Sequence, residues 1–327
     1  MDWNAFAHWG RRAADWAAGY HATLRNRPVR PKLEPGKVRD QLATSAPEQA
    51  ETMEAIFEDF ERIIVPGMTH WQHPRFFAYF PANAAPISVV AEYLVSSMAA
   101  QCMLWQTSPA ATELETRVLD WLRQGLGLPE GFSAVIQDSA SAATLAAVLT
   151  MRERALNWRG NVEGLSQAGR LRIYASAEVH TSIDRAIWIA GIGEENLVRI
   201  PVQGPRRALD VEALEQAIEL DRAEGLIPAG FIGSVGATSA GSTDDLEAAL
   251  AVAKHYGLYT HVDAAWAGSA MICPEFRTYW QGIEGADSIV FNPHKWLGAQ
   301  FDCSAHFVAD PESLVKTLAI QPEYLRT

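Results

Sequence analysis

The sequence is poor in cysteine, in basic residues and in long apolar runs, and each shortage excludes a class of protein. Three cysteines in 327 residues, Cys102, Cys273 and Cys303, are too few and too unevenly spaced for a disulfide framework, so a reducing cytoplasmic setting is expected. Lys and Arg number 27 against 39 Asp and Glu, and the formal net charge of -12 argues against nucleic acid or an anionic membrane as partner. No stretch approaches the roughly 20 apolar residues of a membrane span.

What the sequence does contain begins with an amphipathic helix over about residues 1–24. Its apolar residues recur at steps of three or four and therefore share one face: Phe6, Trp9, Ala13, Trp16 and Tyr20. That face either packs on the chain's own core or forms a subunit interface, and both interpretations stay open. A proline-containing connector over residues 28–36 and a second helix over about 47–64 are predicted to follow.

After about residue 85, short β-rich runs alternate with helical patterns. Seven strands are predicted, at 134–137, 172–176, 197–200, 230–235, 259–262, 288–291 and 305–308, with helices near 142–156, 180–189, 211–223 and 243–256. This alternation is typical of an α/β fold with a mostly parallel sheet covered by helices on both faces. Ligands bind such sheets at the carboxyl ends of the strands, so functional residues are expected directly after them.

Lys295 follows the strand at 288–291, in the run NPHKW over residues 292–296. A lysine at a strand end in an apolar neighbourhood loses solvation, which favours the neutral, nucleophilic amine. Such an amine can form a Schiff base with an aldehyde. Taken alone this signal is weak, because most lysines are solvated surface charges.

Asp263 follows the strand at 259–262 and strengthens the interpretation of Lys295. A partly buried carboxylate needs a cationic partner. The pyridinium nitrogen of pyridoxal phosphate (PLP) is one such partner, and an Asp opposite it keeps the ring protonated as an electron sink. The alternative is an Asp that caps a following helix or pairs with an arginine.

Two further strand ends carry polar residues. After the strand at 134–137, Ser139, Ala140 and Ser141 precede an alanine-rich helix, whose first N–H groups suit a phosphate; the alternative is a serine that caps the helix without any ligand. After the strand at 172–176, His180 is placed to lie flat on a cofactor ring, although a lone histidine is more often a structural hydrogen-bonding residue.

Five stretches together resemble motifs of the group II PLP-dependent decarboxylases, the family of the aromatic-L-amino-acid, tyrosine and tryptophan decarboxylases. They are FFAYFP at 76–81, SPAATELE at 108–115, HVDAA at 261–265, FNPHKW at 291–296 and FDCS at 301–304. They run through nearly the whole chain in family order. The resemblance implies the PLP-dependent transferase-like fold (fold type I), with an N-terminal helical and dimerisation segment over 1–85 and a PLP-binding large domain over 86–327.

The resemblance also implies residue roles. Lys295 binds the cofactor covalently, Asp263 pairs with the pyridinium nitrogen, and His180 stacks on the ring and assists protonation of the product. The phosphate is held by Ser139, Ala140 and Ser141 with help from Asn292 and His294, and Thr238 contacts the cofactor side of the site. The substrate pocket is lined by Trp71, Tyr79, Phe80, Pro81 and, where the family's partner subunit contributes, Met103. No metal is expected.

The sequence departs from the family pattern at two places. Ala82 stands where the family usually has a hydroxyl residue, which affects the substrate contact. The sequence given also ends at Thr327, before the family's mobile loop with its catalytic tyrosine and before its small C-terminal domain. We therefore expect further polypeptide, as a separate C-terminal fragment or lost from a truncated product, and weak decarboxylation by this chain alone.

The expected activity is decarboxylation of an aromatic L-amino acid to its amine and CO2, in a cytoplasmic homodimer. One alternative is an aromatic aldehyde synthase on the same scaffold, since the loop residue that biases the outcome in relatives lies outside this chain. A second is a metal-dependent hydrolase that uses His261, Asp263 and His294, although a third ligand with metal-site spacing is missing from the sequence. A third is a non-catalytic assembly subunit.

Overall fold

The computed structural model describes residues 2–320. The chain divides into two compact units, Met1–Ala82 and Asn83–Thr327, and each is described by itself. Within residues 2–320, no helix combines the length and the apolar character that crossing a bilayer would require.

The first unit is helical. It contains α1 (Trp3–Thr23) and α2 (Met53–Asp59), a π-helical turn at Phe60–Ile64, and short 3-10 turns at Leu24–Asn26, Arg39–Gln41 and Val65–Gly67. The predicted second helix begins later than expected, at Met53 rather than near residue 47. The Thr52 side chain accepts a hydrogen bond from the N–H of Ala55 and thereby fixes the helix start.

The aromatic face of α1 packs within its own unit. Trp9 is buried, and its ring centroid lies 5.7 Å from that of Phe57. Trp16 packs edge-on against Phe60 at 4.8 Å. Phe6, Trp16 and Tyr20 are only half-buried and Ala13 is exposed, so part of the face packs within the unit and both interpretations stay open.

The second unit is built on a seven-stranded sheet. Its strands are β1 (Ser133–Gln137), β2 (Leu171–Ser176), β3 (Leu197–Ile200), β6 (Ile227–Ser234), β7 (Tyr259–Asp263), β8 (Ser288–Phe291) and β9 (Ser304–Val308), and a separate two-stranded ribbon pairs β4 (Val202–Gln203) with β5 (Ala208–Leu209). The sheet order is β1-β9-β8-β7-β6-β2-β3. β9 runs antiparallel to both of its neighbours, and the other six strands run in one direction.

Helices precede, connect and follow the strands. They are α3 (Pro86–Met98), α4 (Pro109–Leu126), α5 (Ala140–Ala155), α6 (Gly160–Glu163), α7 (Ser182–Ile189), α8 (Val211–Ala223), α9 (Leu246–His255), α10 (Pro293–Trp296) and α11 (Pro311–Leu318). Short 3-10 turns lie at Glu194–Asn196, Gly268–Ile272, Pro274–Trp280 and Ile283–Gly285.

Two apolar clusters place helices on both faces of the sheet. Residues of α4, α8 and α9 join one cluster, for example Leu126, Leu214 and Leu250. Residues of α5 and α7 join the other, for example Met151 and Ile187. The predicted α/β fold, with a mostly parallel seven-stranded sheet preceded by an N-terminal helix, is therefore confirmed.

The largest error in the predicted strand bounds is at β6, which begins at Ile227 rather than Gly230. Pro228 lies inside the strand although it has no N–H to donate to a neighbour. The pairing of β6 with β2 shifts register between Arg172 and Ile173, directly opposite this proline. The irregularity accommodates the missing donor in a strand that is paired on both sides.

Candidate active site

The carboxyl ends of six strands meet at one edge of the sheet, because β1, β2, β3, β6, β7 and β8 run in the same direction. The predicted cofactor residues of the second unit follow five of these ends: Ser139, Ala140 and Ser141 after β1, His180 after β2, Thr238 after β6, Asp263 at the end of β7, and Asn292, His294 and Lys295 after β8. The fold thus gathers them along one edge.

Lys295 lies in the single turn of α10 and is half-buried. Its backbone N–H donates to the carbonyl of Asn292 at 3.0 Å, which holds the turn closed directly after β8. Burial lowers the pKa of Lys295, because leaving water penalises the ammonium form, and the nearby Asp263 carboxylate partly offsets this by raising the pKa. The structure therefore brings Lys295 and Asp263 together and favours a reactive amine.

Asp263 is the last residue of β7 and is half-buried. Its Oδ1 accepts the backbone N–H of Ala265 at 3.0 Å, while its own carbonyl accepts the N–H of Val235 at 2.9 Å from β6's end. These contacts fix the backbone and one carboxylate oxygen. The arrangement agrees with a carboxylate held in place to face a cation.

The start of α5 combines a cap with free donors. The Ser139 hydroxyl accepts the N–H of Ala142 at 3.1 Å, and its carbonyl accepts the N–H of Ala143 at 3.2 Å. The Ser139 hydroxyl therefore caps the helix, and its role toward a phosphate stays a prediction. The first-turn N–H groups of Ala140 and Ser141 lie outside the helical ladder and remain as donors for an anion.

Asn292 and His294 brace the segment around Lys295. The Oδ1 of Asn292 accepts the Ser304 hydroxyl at 2.7 Å. The Nδ1 of His294 accepts the N–H of Cys303 at 3.0 Å, so the ring proton resides on Nε2. Burial first, and then the charge of Lys295, lower the pKa of His294. Both side chains are buried; His294 ties the turn that carries Lys295 to the residue before β9, and Asn292 ties it to the first residue of β9.

His180 and Thr238 are exposed at the same edge. The Nδ1 of His180 accepts the backbone N–H of Ser182 at 3.1 Å, so this ring also carries its proton on Nε2. Thr238 lies in a turn that begins at Gly236, whose φ of 75° and whose close approach to Trp266 both favour glycine. The roles assigned to His180 and Thr238 stay predictions.

The predicted substrate residues include an aromatic cluster in the first unit. Trp71 stacks on Tyr79 with ring centroids 5.5 Å apart and lies 5.2 Å from Phe80. Pro81 is exposed beside them along the chain. Met103 belongs to the second unit, is exposed and lies between α3 and α4. Their roles toward a substrate stay predictions.

Sequence reasoning missed a set of buried polar contacts beneath the strand edge. His261 of β7 and His306 of β9 both contact the Ser288 hydroxyl of β8, each at 2.8 Å. The sequence signal for these contacts was a polar residue inside each of three buried strands. His261 is two residues before Asp263, and Ser288 is two residues before Val290, so the members of each pair share a face of the sheet. Across residues 2–320, no group of three or more His, Cys, Asp or Glu side chains is placed to hold a metal ion.

The sequence matches a known domain family over most of its length. Residues 35–327 match the family described as the Pyridoxal-dependent decarboxylase conserved domain. The aromatic-L-amino-acid decarboxylase of Bos taurus is 42% identical over 338 residues, with 100% of this chain and 69% of the relative covered. Tryptophan decarboxylase 2 of Oryza sativa subsp. japonica is 39% identical, with 100% and 66% covered. The chain thus spans about two thirds of the length of these curated relatives.

Solved structures match the fold closely. The crystal structure of Oryza sativa TDC with PLP and tryptamine has a TM-score of 0.96 at 35% identity, over 100% of this chain and 68% of that one. The crystal structure of Rhodiola rosea 4-hydroxyphenylacetaldehyde synthase has a TM-score of 0.93 at 36% identity, over 100% and 70%. With a strand-end lysine beside an aspartate and these matches, the chain belongs to the pyridoxal-dependent decarboxylase family.

Proposed function

We propose that the protein is a PLP-dependent decarboxylase that converts an aromatic L-amino acid into the corresponding amine and CO2. The observation that carries the proposal is the half-buried Lys295, whose pKa burial lowers, beside Asp263 at the carboxyl edge of the sheet. A buried lysine next to a single carboxylate suits covalent capture of an aldehyde better than it suits a structural ion pair, because its burial disfavours the charge that such a pair needs.

The residues present fit pyridoxal phosphate at both ends. The N–H groups of Ala140 and Ser141 at the start of α5 suit the phosphate, with Ser139 holding the turn and Asn292 and His294 nearby in the proposal. The Asp263 carboxylate suits a protonated ring nitrogen. Thr238 is proposed to contact the same side of the cofactor.

Bound there, PLP supplies an electron sink for the bond to the substrate carboxylate. Asp263 holds the proton on the pyridine nitrogen through a charge-assisted hydrogen bond. The Lys295 amine would hold the cofactor covalently, a role that needs its neutral form. His180, with its Nε2–H, is proposed to stack on the ring and to help deliver a proton to Cα.

The substrate class is proposed from the aromatic cluster of Trp71, Tyr79 and Phe80, with Pro81 and Met103 as further contacts. Stacked aromatic rings favour an aromatic side chain. The run 76–86 contains neither Arg nor Lys that would pair with a glutamate side chain, although Arg75 stands just before it. The names of the relatives, aromatic-L-amino-acid decarboxylase and tryptophan decarboxylase, support the same class.

A second candidate outcome on the same site is oxidative deamination to an aromatic aldehyde. It is supported by two relatives, the phenylacetaldehyde synthase of Arabidopsis thaliana at 39% identity and the Rhodiola rosea synthase structure. The same Lys295, Asp263 and His180 serve both outcomes. Product analysis, amine against aldehyde, distinguishes them.

The functional unit is proposed to be a cytoplasmic homodimer. In α3 the exposed apolar residues include Ile87, Val90, Leu94 and Met98, which recur at helical spacing and share one face. A formal charge of -12 disfavours an anionic membrane as the cover for this face, which leaves a second copy as the proposed occupant. The domain proposal keeps an N-terminal helical and dimerisation segment over 1–85 and a PLP-binding domain over 86–327, and α3 adds a second candidate dimer face at the start of the latter. Intact-mass analysis of the purified protein tests the predicted C-terminal fragment.

The deciding experiment compares the native protein with two variants. Borohydride reduction should trap PLP on the native protein and on Asp263→Asn, but not on Lys295→Ala, because only the last removes the reacting amine. Asp263→Asn should lose several orders of magnitude in turnover, because it no longer keeps the ring nitrogen protonated. Products are measured across tryptophan, tyrosine, DOPA, phenylalanine, histidine and glutamate. Trapping that persists in Lys295→Ala, or glutamate as the preferred substrate, would contradict the proposal.

A further inference from the structure

A row of buried polar side chains crosses three strands beneath the candidate site. The Ser288 hydroxyl of β8 lies 2.8 Å from the Nδ1 of His261 on β7 and 2.8 Å from the Nε2 of His306 on β9. The Nε2 of His261 makes a longer contact, 3.4 Å, with the hydroxyl of Thr144 on α5. All four side chains are fully buried.

Burial favours the neutral form of both imidazoles in the row. Ser288 has one hydroxyl proton, so it donates to one histidine and accepts from the other. Burial lowers the pKa of His306 to about 4 and that of His261 well below its usual value. The Nδ1 of His306 has no hydrogen-bond partner in the described part of the chain. A neutral row with one unpaired end is a costly arrangement in a protein core.

The row connects the two elements proposed to hold opposite ends of the cofactor. His261 is two residues before Asp263 on β7, so both side chains lie on the same face of the sheet. Thr144 contacts His261 from α5, one turn beyond Ala140. The contact between Thr144 and His261 therefore links the phosphate end of the proposed site to its ring-nitrogen end.

We propose that Thr144, His261, Ser288 and His306 form a positioning network that sets the distance between the start of α5 and Asp263, and hence the span that PLP must fit. The inference rests on the proposed function, since it assumes PLP at that edge. Apolar contacts would fill the same volume, but they are not directional and would leave α5 free to slide along the sheet. These are positioning residues, because the cofactor itself is contacted by other groups.

The test compares two matched substitutions in α5. Thr144→Val removes the hydroxyl that faces His261. Thr150→Val removes a hydroxyl that is equally buried on the same helix but bonds only its own helix, at the carbonyl of Ala146. The apo protein is titrated with PLP, and binding is followed by absorbance, with thermal unfolding as a second readout.

Both variants should lose stability to a similar extent, but only Thr144→Val should bind PLP more weakly, by about 3- to 10-fold in Kd, the range of one lost hydrogen bond. Thr144→Ser should restore the native Kd. Equal PLP affinity of Thr144→Val and Thr150→Val would overturn the network. Should Thr144→Val fail to fold, Ser288→Ala decides by the same titration, since it breaks the row at its centre. A native protein that binds no PLP would instead contradict the proposed function.

Discussion

The helices α3 and α5 both carry many apolar residues, but their surroundings are opposite. Eight residues of α5 are buried, including Ala147, Val148 and Met151, because the helix lies against the middle of the sheet. All thirteen residues of α3 are described, and none of them is buried. Its large apolar side chains are exposed, for example Ile87 at 75% and Met98 at 68%. An apolar helix whose sides are all covered serves its own domain, whereas one left uncovered indicates a partner.

The two helices also differ in how they reach the site. α5 supplies the candidate phosphate donors at its own start. The start of α3 is tied to the segment after Lys295, because Gly298 accepts the N–H of Ala85 at 3.1 Å and the Ser88 hydroxyl at 2.7 Å. A partner that covers α3 would therefore also stabilise the segment behind the candidate cofactor lysine.

The largest effect is expected from Ala140→Asp at the start of α5. A carboxylate in the first turn stabilises a helix, so the fold should be kept. The same carboxylate would repel a phosphate at that turn and should raise the Kd for PLP about 100-fold. Titration of the apo protein with PLP measures the effect.

The neutral isostere Ala140→Asn is the matched control for that substitution. It adds nearly the same volume without the charge and should cost far less affinity. If the Asp and Asn variants bind PLP equally well, the start of α5 does not hold the phosphate.

Leu94→Lys tests whether the exposed apolar face of α3 forms the dimer interface. A lysine in the middle of the exposed apolar face would have to be desolvated in a dimer and should raise the dimer Kd at least about tenfold. Leu220→Lys is the control, because Leu220 is a similarly exposed leucine on α8. Analytical ultracentrifugation should show dissociation for the first variant only. A dimer that survives Leu94→Lys would place the subunit interface elsewhere.

The sequence predicted the sheet and the family well because both depend on local patterns. A buried strand such as Ser288–Phe291 and a short motif such as residues 291–296 can each be recognised from a few consecutive residues of the sequence. The strand-end rule placed Lys295 and Asp263 at the same edge, and in the structure the Asp263 carboxylate raises the pKa of Lys295, while their roles stay predictions. The start of α2 and the first residues of β6 were wrong, because a threonine cap and a register shift decided them.

The row formed by Thr144, His261, Ser288 and His306 was not predicted, for a different reason. Contacts between His261, Ser288 and His306 depend on the order β7, β8, β9 and on the antiparallel direction of β9, and periodicity along one strand reports neither. The uncovered state of α3 was equally invisible, since its sequence reads as an ordinary apolar helix. Both features depend on neighbours that are distant along the chain.

A further prediction concerns how the stability of the protein depends on pH through the buried row of Thr144, His261, Ser288 and His306. Because burial keeps His306 neutral, its folded pKa is about 4 and its unfolded pKa about 6.5, so below pH 6.5 the unfolded chain binds more protons than the folded one. This group alone should make the protein about 2 kcal/mol less stable at pH 5 than at pH 7. His261, whose ring is 6.0 Å away, acts in the same direction.

Asp244 acts in the opposite direction, because burial raises its pKa to about 6 and so favours the folded state on acidification. The wild-type stability alone therefore does not isolate the histidine. The comparison of wild type with His306→Phe does, because Asp244 is common to both. Urea unfolding at pH 7 and pH 5 should show a loss that is about 2 kcal/mol smaller in the variant. His8→Phe is the control, since that ring is exposed on α1 and solvated in both states. If His306→Phe loses as much unfolding free energy as the wild type between pH 7 and pH 5, then the neutral, buried His306 does not cause the loss of stability in acid.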